Sequence, residues 1–550
     1  MWMRLFFVAM VSWIVGGPVS ESSRKLDILI TGARVVDGCG NPWYLADVGI
    51  RDGKIAEVGN LTRHRAERTI HADGMVLAPG FIDMMGESTL PLLLDPVTAQ
   101  SKLRQGVTTM MAGEGTSLAP QDERTIKDLN LPSGFPHWKT FEEYDRLLAS
   151  KGIGLNAIHN VGAAQVRRVV IGDEDRAPTP EEMSRMKQLV AEAMDDGAVG
   201  LSTALIYPPG AYAKTDEIIE LAKVAGQHGG IYFSHMRNES AQLLEAIEET
   251  IRIGEEAHLP VHIYHLKAAG QDNWPLMAQA LVLIQSARDG GIDVSADVYP
   301  YIRNGLGLDS FIHPRHFAKG TEVFLATLSD PRVRAALRQE IETTSDWENW
   351  YQHVGRNWDN VLVVKAPSGT DRRFEGKSIK EIATMRGEDD WNTFFYLVQK
   401  NRVEVDPKSM DENQKNLALQ APFISIDSDS GPMNPAVATY AHPRTFGTFP
   451  RILAKYVREE KIIRLENAIR EMTSLPADQL RLLKRGRISP GMSADIVLFD
   501  PNTIQDKATF EKPMSYSIGM EYVLVNGKVA IDRGEPTGVL GGVLIRADKQ

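Results

Sequence analysis

The chain has 550 residues, too many for one ordinary hydrophobic core, so its length predicts one large domain and one smaller one. Hydrophobic residues make up 43% and charged residues 24%, which are ordinary globular values. The net charge of −11 argues against nucleic acid or an anionic membrane as partner, and a single cysteine, Cys39, excludes an intrachain disulfide and a cysteine-rich metal site.

The N-terminus reads as a secretory leader over residues 1–22. Arg4 supplies a basic start, residues 5–15 are apolar, and Gly16-Gly17-Pro18-Val19-Ser20 resembles an approach to cleavage. The apolar run is short for a bilayer span, so the expectation is an exported protein, periplasmic or secreted, with no stable membrane span. A misassigned start or an uncleaved anchor is the competing reading.

Residues 26–78 follow as short alternating strands separated by turns such as Asp52-Gly53. Residues 488–550 look alike, with Ala494-Asp495-Ile496-Val497-Leu498-Phe499 as the clearest strand. Neither part is a convincing domain alone; together they predict a small β-sandwich built from both termini.

Between them, over 79–487, eight candidate strands alternate with helical stretches: 78–85, 106–113, 155–161, 198–205, 230–235, 260–265, 293–301 and 423–429. Thr179-Pro180-Glu181-Glu182 carries a helix start, with a Thr cap, Pro at the first position and Glu at the third. Eight such units predict an α/β architecture, a (β/α)8 barrel interrupted by an insertion around 304–422.

His235 and His265 end the fifth and sixth candidate strands, at the end where barrel active sites lie. Glu114 ends the second among small residues. Two imidazoles and a carboxylate make a catalytic zinc set, which iron, manganese or nickel also tolerate. The bland alternatives are hydrogen-bonded structural histidines and a Glu114 that caps the next segment. Side chains two apart on a strand share a face, which pairs His235 with Arg237, His265 with Lys267, and Asp427 with Asp429. By that parity His262 faces the helices. Arg237 and Lys267 also fit as plain rim charges.

The chain resembles the N-acyl-D-amino-acid deacylases (D-aminoacylases) of the amidohydrolase superfamily. The resemblance rests on Ala78-Pro79-Gly80-Phe81-Ile82-Asp83, Gln105-Gly106-Val107-Thr108-Thr109, Ser234-His235-Met236-Arg237-Asn238-Glu239, Ala296-Asp297-Val298-Tyr299-Pro300-Tyr301, and His442-Pro443-Arg444. It implies that His235 and His265 hold the tight metal and that the aspartate after strand eight shuttles the proton. Asp429 fits that role best, with Asp427 on the same face. It also implies that Lys267, Tyr299 and Arg444 hold a substrate carboxylate.

The pattern departs from the family in four places. The strand-one His-x-His is replaced by Met85-Gly86-Glu87, and the family's cysteine after strand two by Glu114. The His-Gly pair after strand three is Ala163-Ala164, and no lysine lies near Ser202-Thr203. The expectation is a hydrolase with one divalent ion, zinc first, held by Glu114, His235 and His265. Its substrate class is a small N-acyl D-amino acid or related amide. Hydrolysis of a cyclic amide or dipeptide, and an inactive ligand-binding homologue, are the alternatives.

Overall fold

A computed structural model describes residues 25–546 apart from 345, 368 and 370; the leader read over 1–22 lies outside the described residues. Strands Lys25–Val35, Tyr44–Arg51, Lys54–Gly59, Arg65–His71 and Val76–Pro79 come from the N-terminal part. Ile496–Phe499, Met520–Val525, Lys528–Asp532 and Glu535–Pro536 come from the C-terminal part. All nine join in one hydrogen-bonded sheet. The two ends meet where Val76–Pro79 pairs antiparallel with Ile496–Phe499, Ala78 opposite Val497. Ile30, Ile50 and Leu77 pack with Ile496, Leu498 and Leu524 in one core. Neither set of strands could bury its apolar face alone.

Barrel strands one to eight are Phe81–Asp83, Val107–Ala112, Asn156–His159 (continued by Val161–Gly162), Gly200–Ala204, Ile231–His235, Val261–Ile263, Val294–Val298 and Ile424–Ile426. All neighbouring pairs from one to eight are parallel. These strands are buried on both faces, so they read as near-continuous apolar runs. Helices between them cover the outside. Pro180–Asp196 shows the expected start, a capping box between Thr179 and Glu182, and ends on Gly197 at φ 118°, a left-handed conformation that glycine adopts without cost.

Among the described residues no backbone ladder joins strand eight to strand one. The seam is instead bridged by a side chain: the Ser428 N–H donates to Asp83 Oδ1 at 2.8 Å.

The 304–422 stretch has a core of its own. Leu306–Gly307, Val361–Lys365 and Glu404–Pro407 form a small antiparallel sheet. Phe311, Trp350, Trp358, Trp391 and Phe394 pack around it and over the mouth of the barrel. No helix among the described residues is long and apolar enough to cross a membrane.

Candidate metal centre

Strand five ends on His235, and the chain leaves strand six two residues before His265. Glu114 follows strand two across Gly113, which takes φ 109°. Gly113 lies so close to strand three's exit that a Cβ would sit 2.9 Å from the Asn160 carbonyl oxygen. These backbones aim three side chains at one point. His235 Nδ1 and His265 Nε2 lie 2.9 Å and 2.7 Å from the same Glu114 oxygen, Oε1. The three ligand atoms fall within 4.8 Å of one another. Burial pushes the Glu114 carboxyl up, but the two histidines outweigh it and hold the group well below the usual carboxylate range. An ionised oxygen facing two imidazole nitrogens is a donor set that fits a divalent cation.

Glu239 stands behind both histidines. Its Oε1 lies 3.0 Å from His265 Nδ1, and its Oε2 lies 3.7 Å from His235 Nε2. His265 Nδ1 thus sits between the Glu239 carboxylate and the Lys267 ammonium, 2.7 Å from Nζ, which holds the ring with Nε2 turned toward Glu114. Lys267 donates to the same Oε1 at 2.7 Å. In the sequence Glu239 stands out only as the end of the motif Ser234-His235-Met236-Arg237-Asn238-Glu239. Its position four residues after His235 was the available clue.

His262 corrects the parity reading. It points into the barrel, its ring tilted 60° to that of Phe233 at 5.7 Å, and bonds Ser295 Oγ at 2.8 Å and Asp297 Oδ2 at 2.9 Å. Regular strand six stops at Ile263, and His265 takes φ 37°. Alternation therefore cannot be carried from His265 back to His262. Asp297 is the orienting group at this turn, since its Oδ1 also accepts from the His265 N–H. Arg237 is a rim charge, bonded to Glu249 at 3.0 Å and to the Ala213 carbonyl.

Beyond strand eight, Asp429 takes φ 45° and accepts from Arg444 Nη1 at 2.5 Å. It lines a cavity of about 710 Å3 together with Glu114, His235, His265, Lys267 and Arg444. Gly305 opens space beside Arg444; a Cβ there would lie 2.7 Å from Nη2. Asp427 is fully buried, and neither of its carboxyl oxygens has a hydrogen-bond partner. Burial, then the nearby charges of Asp297 and Asp429, push it well above the usual carboxylate range. Glu87, at the strand-one position of the missing histidine, is pushed up to about 8 by burial and by Glu114 and Asp429.

Tyr299 is completely buried, its phenol oxygen unpartnered, with three cations over its ring: Lys415 at 4.6 Å, Arg444 at 4.8 Å and Lys267 at 5.9 Å. The cavity lining does not include it. The structure thus gathers the sequence-derived residues at one end of the barrel, with Tyr299 behind the cavity wall.

A parallel eight-stranded barrel with two histidines and a carboxylate at the active end defines a metal-dependent hydrolase. A model described as the amidohydrolase family matches residues 68–531. The D-aminoacylase of Alcaligenes xylosoxydans xylosoxydans is 34% identical over 511 residues, covering 92% of this chain and 95% of that protein. The chain belongs to the amidohydrolase family. Among solved structures, an N-acyl-D-glutamate deacylase from Bordetella bronchiseptica, complexed with zinc and a phosphonate mimic of the tetrahedral intermediate, superposes with a TM-score of 0.79. It is 31% identical, with 95% and 100% of the two chains covered. A D-aminoacylase described by one-metal activation and second-metal attenuation of a binuclear centre gives 0.79 at 32% identity, with the same coverage.

Proposed function

We propose that the protein hydrolyses the amide bond of N-acyl-D-amino acids with one divalent ion, zinc, held by Glu114, His235 and His265. The observation that carries this reading is the meeting of Glu114 Oε1 with His235 Nδ1 and His265 Nε2 in a cavity that also presents Asp429 and Arg444. A divalent ion in this set supplies Lewis acidity, activating water and polarising the amide carbonyl.

The chain's own residues do the rest. Asp429 takes the water's proton and returns it to the leaving nitrogen. Asp427 is a poorer candidate for that work, because it is fully buried and stands outside the lining of the cavity that Asp429 shares with the three ligands. Glu239 and Lys267 hold the His265 imidazole in place. Arg444 and Lys267 provide cationic donors for the substrate carboxylate, and Tyr299 carries those cations on its ring. A single ion is supported by strand one, where Met85 and Glu87 stand in the place of the two histidines that the family resemblance leads one to expect. Export by the leader is part of the proposal.

The test measures bound metal in purified protein and then hydrolysis of N-acetyl D- and L-amino acids with that metal present. The expected result is turnover of D substrates only. Metal-replete protein that hydrolyses none of them overturns the reading.

A further inference from the structure

We infer that Lys102, acting with Asp83, is a positioning residue for the catalytic aspartate. The inference rests on the reading of Asp429 as the general base.

Lys102 lies on the short helix Gln100–Leu103, just before strand two, and its side chain is fully buried. Its ammonium has three acceptors: Asp83 Oδ2 at 2.8 Å, Ser428 Oγ at 2.6 Å and the Ser430 carbonyl at 2.6 Å. A lysine ammonium has three donors, so this one is saturated. Two of its partners, Ser428 and Ser430, are the residues on either side of Asp429. Asp83, at the end of strand one, holds Ser428 twice more, accepting from its N–H at 2.8 Å and from its Oγ at 2.6 Å.

Asp429 needs such a frame. Its φ of 45° is a left-handed conformation, which persists in a non-glycine residue where surrounding contacts over-determine it. The backbone ladder ends with strand eight and does not reach strand one. The Lys102–Asp83 pair replaces it at the seam. The neighbours of Lys102 extend the same frame. Ser101 Oγ accepts from the Met433 N–H at 3.0 Å, and Gln105 donates to the Thr445 carbonyl at 2.9 Å. Ser101, Lys102 and Gln105, all fully buried, thus tie the strand-eight loop on both sides of Asp429 to the outside of strands one and two. This also gives a use to Asp83 and Gln105, two motif residues that touch neither the ligand set nor the cavity.

Loss of the clamp frees Asp429 to shift while the ligands stay in place. Misplacing a catalytic group by about 1 Å costs on the order of 100-fold in rate. Lys102→Met is therefore expected to keep its metal and its KM and to lose kcat on that scale. The deciding measurement is a cycle with Asp429→Asn. If Lys102 works through Asp429, adding Lys102→Met to Asp429→Asn changes kcat by less than about threefold. A purely structural lysine gives losses that multiply, and that result overturns the inference, as does a Lys102→Met enzyme whose kcat is unchanged. Where Lys102→Met does not fold, Ser428→Ala enters the same cycle. It removes one acceptor, keeps the N–H bond to Asp83, and is expected to cost on the order of 10-fold. An Asp429→Asn enzyme with full turnover defeats the base assignment itself, an outcome separate from either result for Lys102.

Discussion

Glu114 places one oxygen between two imidazole nitrogens, and that oxygen stays ionised because both rings face it. Removing either ring breaks the donor set at the mouth-facing end of the strands and leaves the apolar body of the barrel packed. His235→Ala and His265→Ala are expected to lose the ion and all turnover while far-UV circular dichroism stays unchanged; a variant that retains full metal content excludes that residue as a ligand. The two aspartates after strand eight separate by environment. Asp429→Asn should keep metal and lose turnover on the order of 100-fold or more, as for a lost general base. Asp427→Asn should be much milder, since Asp427 is fully buried and does not line the cavity that Asp429 shares with the ligands; steady-state kinetics that reverse this order exchange the two roles. The positions of His235, His265 and Glu114 were legible in the sequence because each ends or follows a short apolar run, whereas Asp429 was separated from Asp427 only by the family resemblance. His262 was misread for a local reason: parity holds only within a regular strand, and this one ends at Ile263. Glu239 escaped because its role depends on contacts with Lys267 and His265, which lie 28 and 26 positions away in the chain.

At the scale of elements, the barrel strands were legible because strands buried on both faces leave unbroken apolar runs bounded by turns. The insertion was legible only as an interruption over 304–422, and its internal structure was not. Its core is built from aromatic residues scattered over 304–422, and strands as short as Leu306–Gly307 leave no periodic pattern. It carries a group with a measurable consequence. Asp406, buried at the insertion's edge of the cavity, has one oxygen without a partner, and burial pushes its carboxyl up to about 8 despite Arg444 and Arg303 nearby. A folded-state pKa raised above the unfolded value contributes stability that is complete below the unfolded value, near 4, and is lost as pH rises towards 8. Asp406→Asn, which carries no proton to lose, should remove that decline. The variant is expected to gain stability relative to the parent between pH 5 and pH 8, by a few kcal/mol at most. Urea denaturation at the two pH values measures it, and an identical pH slope in both proteins shows that Asp406 is ionised when folded.

Over the whole molecule, the terminal sheet and the barrel are locked by a buried polar network as well as by shared apolar surface. Asp495, just before the strand that joins the two ends of the chain, accepts from the Asn526 N–H at 2.7 Å and from Asn156 Nδ2 at 3.2 Å; Asn156 opens barrel strand three. Arg485 forms an ion pair with the same carboxylate. Asn526 also donates to Asn156 Oδ1 at 2.8 Å, which closes a ring of contacts between sheet and barrel. The C-terminal segment adds backbone bonds of its own, from the Gly542 N–H to the Ile153 carbonyl at 2.8 Å and from the Ile545 N–H to the Ala157 carbonyl at 2.8 Å. With this much crossing contact, neither part retains its partners when the other opens, so the folded chain is expected to unfold in one transition despite its length. Asp495→Ala tests the lock. It strands the Arg485 guanidinium in a largely buried site and leaves Asn156 and Asn526 each short of an acceptor. Breaking a buried pair by removing one partner costs roughly 3–5 kcal/mol. The expected result is a loss of that size with a single transition retained, read by fluorescence and circular dichroism along the same urea titration. Two separate transitions in the parent would show that sheet and barrel fold independently. A loss under about 1 kcal/mol would place Asp495 among screened surface charges.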